Sequence, residues 1–108
     1  MKAVVICAAA IIGLGAAPAQ ASVFTVGGPL SWACYKAAEA LDARTSSLDN
    51  CTRALAEENL LASDRAATLV NRGILNRMLS RSKAAGADFD RAIAANPNLS
   101  EAWLNKAA

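Results

Sequence analysis

Cys34 and Cys51 carry the clearest chemistry in this sequence. They stand 17 positions apart, and in an oxidising compartment such an even pair is expected to join as a disulfide. Closing a loop of that length contributes on the order of 3 kcal/mol in the chain-entropy description. The alternative is two separate buried thiols that act as small apolar residues. The chain has no histidine, so the usual general base is missing. The cysteine spacing matches no zinc pattern, no Cys-x-x-Cys-His haem motif and no Cys-x-x-Cys redox pair. Glu57-Glu58 and Asp88/Asp90 are the close acidic pairs. Both are expected on solvated helix surfaces, without the cleft that would tune them for acid–base work. Gly27-Gly28-Pro29 lacks the Gly-Lys-Ser/Thr of a phosphate loop. The expectation is a non-enzymatic chain with no catalytic residues, no cofactor and no metal.

The compartment is read from the first residues. Lys2 precedes an apolar, uncharged run over 3–15, and Ala19-Gln20-Ala21 fits the small-x-small rule for signal-peptide cleavage. The run is shorter than the roughly 20 residues that span a bilayer, and Pro18 ends it. Residues 1–21 therefore read as a signal peptide, with a retained anchor or buried helix as the alternative. Cys7 would leave with the signal, and the product would be periplasmic or secreted. The whole chain carries a net charge of +2, and Lys2 belongs to the signal, so the remainder is close to neutral. A nucleic-acid binder would show a clustered basic stripe, and none is present. No second apolar span follows, so no membrane association is expected after cleavage.

Beyond the signal, residues 22–30 are β-branched and glycine-rich and read as an extended lead-in rather than a lone strand. Helical spacing then dominates. Ser31 is placed to cap a helix through about residue 43, with Ala33, Ala37, Ala40 and Leu41 as its stripe. Ser47 is placed to cap a second over 48–60, with Leu48, Cys51, Ala54 and Leu55 inward. Ser63-Asp64 would cap the longest, 65–81, striped by Ala66, Leu69, Val70, Gly73, Ile74, Met78 and Leu79. A fourth covers 83–95, with Phe89, Ala92 and Ile93 inward. Asn96-Pro97-Asn98 stops it, because proline removes a donor and restricts its predecessor. A short fifth helix from about residue 100 carries Trp103 and Leu104. Breaks this short fold helices back as antiparallel hairpins.

The chain also repeats itself. Cys51-Thr-Arg-Ala-Leu-Ala56 parallels Phe89-Asp-Arg-Ala-Ile-Ala94, and Leu69-Val-Asn-Arg-Gly73 parallels Trp103-Leu-Asn-Lys-Ala107. The second pair is offset by 34 positions (69 to 103) and the first by 38 (51 to 89), so the unit is about 34 residues and the earlier inter-helix turn is four residues longer. A helix-turn-helix unit of that length resembles the tetratricopeptide repeat. With Ala66 as the first residue of a unit, Leu69 takes the tryptophan slot and Gly73 the small slot. Ala85 falls at the closest helix approach, Phe89 in the aromatic slot, Ala92 in the next small slot and Pro97 at the turn. Trp103 takes the tryptophan slot of a following half-unit. Arg72, Asn76 and Ser82 depart from the pattern, where the family prefers leucine, tyrosine and another large residue. In the earlier unit Cys51 takes the aromatic slot, and a bridge to Cys34 would replace the missing aromatic packing.

The resemblance implies an all-α fold of about five helices, with antiparallel hairpins stacked as a short solenoid. A degenerate first hairpin would cover 31–63, a full repeat 64–98 and a half repeat or capping helix 99–108. It also implies a protein or peptide partner held in a groove lined by Val70, Asn71, Ile74, Arg77 and Met78, with Asn105 and Lys106 at its far edge. Asn71 and Arg77 suit a partner's backbone or carboxylate. The alternative is a structural role in which an uncovered Trp103–Leu104 face packs on a second copy as a homodimer. Arg72, Arg77 and Arg81 recur at helical spacing and are expected first as a solvated helix face.

Overall fold

A computed structural model describes residues 20–25 and 27–108. Most of the signal-peptide reading, including Cys7, lies outside the described residues. Among those described, the chain forms five helices and no strand: α1 Pro29–Ala40, α2 Thr45–Glu57, α3 Ala62–Met78, α4 Ser82–Ala95 and α5 Ser100–Ala107. No helix among them is long and apolar enough to cross a membrane. Each helix packs on the next, and α1, α3 and α5 also lie side by side, while α2 and α4 do not meet. The result is a two-layer, repeat-like stack with odd-numbered helices in one layer and even-numbered helices in the other.

The helix starts differ from the expected caps. Pro29 opens α1, where its missing N–H costs nothing, and Ser31 lies inside the first turn with Oγ donating to the Gly28 carbonyl at 3.0 Å. The orphan N–H groups of Leu30 and Ser31 donate instead to the Glu58 carboxylate, at 2.7 and 2.9 Å. The expectation of a solvated Glu58 is therefore corrected. It caps α1 because its own position just past α2 brings it beside that helix start. Likewise α2 begins at Thr45 and α3 at Ala62, so Ser47 and Asp64 lie inside their helices rather than at the caps.

Two helix ends turn through the left-handed region without glycine. Leu41 has φ 54°, and Asp42 N–H bonds back to the Ala37 carbonyl at 2.8 Å. Ser80 has φ 62°, and Arg81 N–H bonds back to the Asn76 carbonyl at 2.8 Å. These are Schellman-type ends, which satisfy carbonyls the helix leaves open. They also direct Leu41 outward, and Ala40 is exposed as well. Neither belongs to the buried stripe of α1.

The main core joins Leu69, Val70 and Ile74 of α3 to Ala85, Phe89 and Ala92 of α4, with Ala38 and Ala102 from the flanking helices. Gly73 lies directly under the Phe89 ring, and a Cβ there would overlap it. A small residue thus lets the α3 and α4 axes approach around one aromatic. The equivalent place between α1 and α2 holds the Cys34–Cys51 disulfide, packed with Ala37 and Leu75. Met78 is half-exposed at the end of α3, outside this core.

Candidate functional site

The layer formed by α3 and α5 carries an extended peptide, and that peptide is the chain's own residues 21–25. Asn71 of α3 binds Val23 on both sides of its backbone. Its Oδ1 accepts from Val23 N–H at 2.7 Å and its Nδ2 donates to Val23 C=O at 2.8 Å. Asn105 of α5 does the same to Ala21, with Nδ2 to the carbonyl at 3.1 Å and a longer 3.4 Å contact from the N–H. Asn105 Nδ2 also donates to the Glu101 carbonyl at 2.8 Å. Thr25 continues the series by donating from its hydroxyl to Asp64 Oδ1 at 3.0 Å.

The spacing follows from elementary geometry. In an extended chain alternate residues share a face, so Ala21, Val23 and Thr25 are the ones held. Phe24, between them, points the other way. It is exposed, and its ring meets Trp32 and Tyr35 of α1 edge-on at 5.6 and 5.5 Å. Asn71 and Asn105 are each fully buried. A carboxamide offers an acceptor and two donors, which matches a peptide unit's own groups and reads no side chain. The site is therefore complementary to extended main chain.

The residues expected to line a groove are distributed unevenly. Asn71 and Asn105 are the contacts described above. Val70 and Ile74 are fully buried in the main core. Arg77 donates from Nη2 to the Asn105 carbonyl, and its guanidinium lies 4.8 Å from the Phe89 ring centroid. Desolvation lowers the Arg77 pKa from its ordinary value. Met78 is half-exposed at the α3 terminus. Lys106 is exposed and pairs with Asp90 of α4 at 2.7 Å, so it ties α5 to the even-numbered layer instead. Sequence reasoning does not find the lead-in contacts at Ala21, Val23, Thr25 and Asp64. Their one signal is a short stretch rich in β-branched residues, Val23 and Thr25, too short to interpret alone.

The acids and arginines need three corrections, of which Arg77, drawn off its expected solvated face onto Phe89 and the Asn105 carbonyl, is the first. Asp88 is expected on a solvated surface, yet it is 1 % exposed. Its carboxylate takes a two-pronged bond from Arg72 at 2.9 and 2.7 Å and a third from Asn76 Nδ2 at 3.0 Å. Arg72 is accordingly drawn off the solvated face expected for it, and its side chain is 19 % exposed. Arg72 and Asn76 are two of the departures from the repeat pattern. The structure brings both to the same buried carboxylate, so a polar triad occupies what the pattern fills with apolar side chains. Arg81, Asp90 and Glu57 are exposed, as expected. No known protein family, curated protein or solved structure matches this chain.

Proposed function

We propose that this is an exported, non-enzymatic helical-repeat protein of tetratricopeptide type whose α3–α5 layer binds an extended segment of another protein. One observation carries the reading: two buried asparagines at the same place in successive repeats already hold extended main chain, two residues apart. A side chain that bonds only to backbone accepts many sequences, which suits a scaffold. The leader pattern, with Lys2, the apolar run and Ala19-Gln20-Ala21, supports export, and the Cys34–Cys51 bridge is consistent with an oxidising compartment.

Export bears directly on the groove. Cleavage after Ala21 removes the residue that Asn105 holds, while Val23 stays on Asn71 and Thr25 on Asp64. The mature chain then presents Asn105 as the free end of a partly filled groove. A partner extends the occupied track or displaces the lead-in, whose tethering gives it a high effective concentration.

The test is a chain lacking residues 22–25, titrated with a labelled peptide of sequence Gln-Ala-Ser-Val-Phe-Thr and followed by fluorescence anisotropy. Saturable binding that Asn71→Ala abolishes supports the groove. A folded, shortened chain that ignores the peptide refutes it. Terminal sequencing of the exported protein, expected to begin at Ser22, tests the compartment.

A second reading is self-association. Trp103 and Leu104 are 51 % and 47 % exposed, and Trp103 is tethered through its indole N–H to the Pro97 carbonyl at 2.9 Å. Concentration-dependent dimerisation lost in Trp103→Ala would favour it.

A further inference from the structure

The flank of α3 turned away from Asn71 carries Arg65, Leu69 and Arg72, which share one side of the helix by their spacing of four and three residues. They line an open cleft of about 650 Å³. Leu55 of α2 closes one side, and Arg91, Ala94 and Ala95 of α4 close the other. The cleft exists because α2 and α4 do not meet across α3. Its volume lies in the range of small-molecule sites, roughly 300–1,000 Å³.

Its lining combines two chemistries. Leu55, Leu69 and the two alanine methyls give an aliphatic floor. Three guanidiniums surround it. Arg65 donates to the Leu55 carbonyl at 3.2 Å, and Arg72 is engaged by Asp88 and by Thr52 Oγ1 at 3.3 Å. Arg91 reaches Asp88 only at 3.5 Å, and its side chain is 63 % exposed. Arg72 and Arg91 thus share one buried carboxylate, and a guanidinium has five donors to offer. An anion entering here gains charge-assisted bonds, while the floor favours a ligand that also brings aliphatic carbon. From Arg65 to Arg72 the wall of α3 runs about 10 Å at roughly 1.5 Å per residue. That length suits a medium alkyl chain and is too short to seat a partner helix.

We propose that this cleft binds a small anionic amphiphile, with its carboxylate against Arg91 and Arg65 and its alkyl chain on Leu55, Leu69, Ala94 and Ala95. The site is independent of the asparagine groove and stands or falls separately from it.

The experiment titrates the exported, disulfide-bonded chain with decanoate below its self-association concentration and follows backbone amide shifts by NMR. Decanol and acetate serve as tail-only and head-only probes. Saturable shifts at Leu69, Ala94 and Ala95 with decanoate are expected, with at least tenfold weaker binding of decanol and acetate. The Arg65→Ala/Arg91→Ala chain should bind decanoate at least tenfold more weakly, and Arg44→Ala should bind it unchanged. Ala94→Trp fills the cleft from an exposed position and should abolish binding. It carries the test alone if the double variant does not fold. Decanol binding as tightly as decanoate, decanoate shifts centred on Trp103 or the lead-in, or unaltered binding to Ala94→Trp would each overturn the proposal.

Discussion

Asn71 and Asn105 stand one 34-residue repeat apart in sequence, yet they hold the backbones of Val23 and Ala21, which are two residues apart. One repeat of the helical stack therefore advances an extended chain by two residues, about 6.6 Å at the usual strand rise. That relation sets the register of the lead-in on this face.

Replacing Asn71 by alanine should release the lead-in. The amide of Val23 loses its acceptor, and its hydrogen exchange should approach that of an unprotected residue. The helices should stay folded, with a stability loss of roughly 1–3 kcal/mol for the lost buried bonds. Exchange NMR and urea unfolding read the two effects. Full protection at Val23 in the variant would exclude the described contact.

Asp88→Ala should be far more damaging. It leaves the Arg72 guanidinium partly buried without its carboxylate, and breaking such a pair costs roughly 3–5 kcal/mol. Arg72→Leu combined with Asp88→Ala should recover part of that loss, because the stranded charge is gone. A double-mutant cycle in urea measures the coupling. Strict additivity would mean that the pair does not interact.

Gly73→Ala places a methyl group against the Phe89 ring. Overpacking at a closed helix contact costs roughly 1–3 kcal/mol. Thermal unfolding should show the drop, and Gly86→Ala, where a Cβ meets nothing within 4 Å, should be neutral or stabilising.

Leu41→Gly and Ser80→Gly should have the opposite sign. Both residues occupy left-handed backbone, where a Cβ costs roughly 1–2 kcal/mol, and both are exposed. Glycine loses some of that gain to unfolded-state entropy, so each should stabilise by roughly 0.5–1 kcal/mol. Lower midpoints in both variants would contradict the helix ends described.

Tyr35 is the one tyrosine of the chain, so its ultraviolet titration is unambiguous. The hydrogen bond to Glu39 at 3.0 Å raises its pKa above 10.0, helped by desolvation and the Glu39 charge and opposed by the Lys36 charge. Glu39 is lowered in turn, first by its bond from Lys36 and then by that from Tyr35. The folded arrangement favours the phenol, so its contribution is present below the ordinary tyrosine value and is lost as pH rises through the raised one. The carboxylate contribution is present above the ordinary glutamate value and is lost as pH falls through the lowered one. Glu39→Ala, which removes both the acceptor and the charge, should return the tyrosine midpoint toward 10.0, and an unmoved midpoint would remove Glu39 as the cause.

Much of the fold is legible in the sequence because its signals are local. The five helices follow from apolar spacing, and Asn96-Pro97 marks the end of α4 as proline chemistry requires. Aligning the repeat halves puts Asn71 in register with Asn105, and both prove to hold the backbone of the same lead-in segment. Phe89 and Gly73 are readable as a large–small pair, and the cysteines as a bridge. Asp88 misleads because its neighbour Asp90 suggests a wet surface. Its burial depends on Arg72 and Asn76, which approach from sixteen and twelve residues away. Glu58 misleads for the same reason, since the helix start it caps lies 28 residues upstream of it.

The sequence by itself determined the helical class, the hairpin order and the candidate asparagines, because hydrophobic period, proline stops and repeat spacing act within a few turns of chain. Only the tertiary structure decided that the lead-in lies on the asparagines, that Asp88 is inside and that a cleft opens between α2 and α4. Each of these depends on a buried polar group finding its partner, or on two helices failing to meet. Both outcomes are set by how distant segments pack, and no local pattern encodes them.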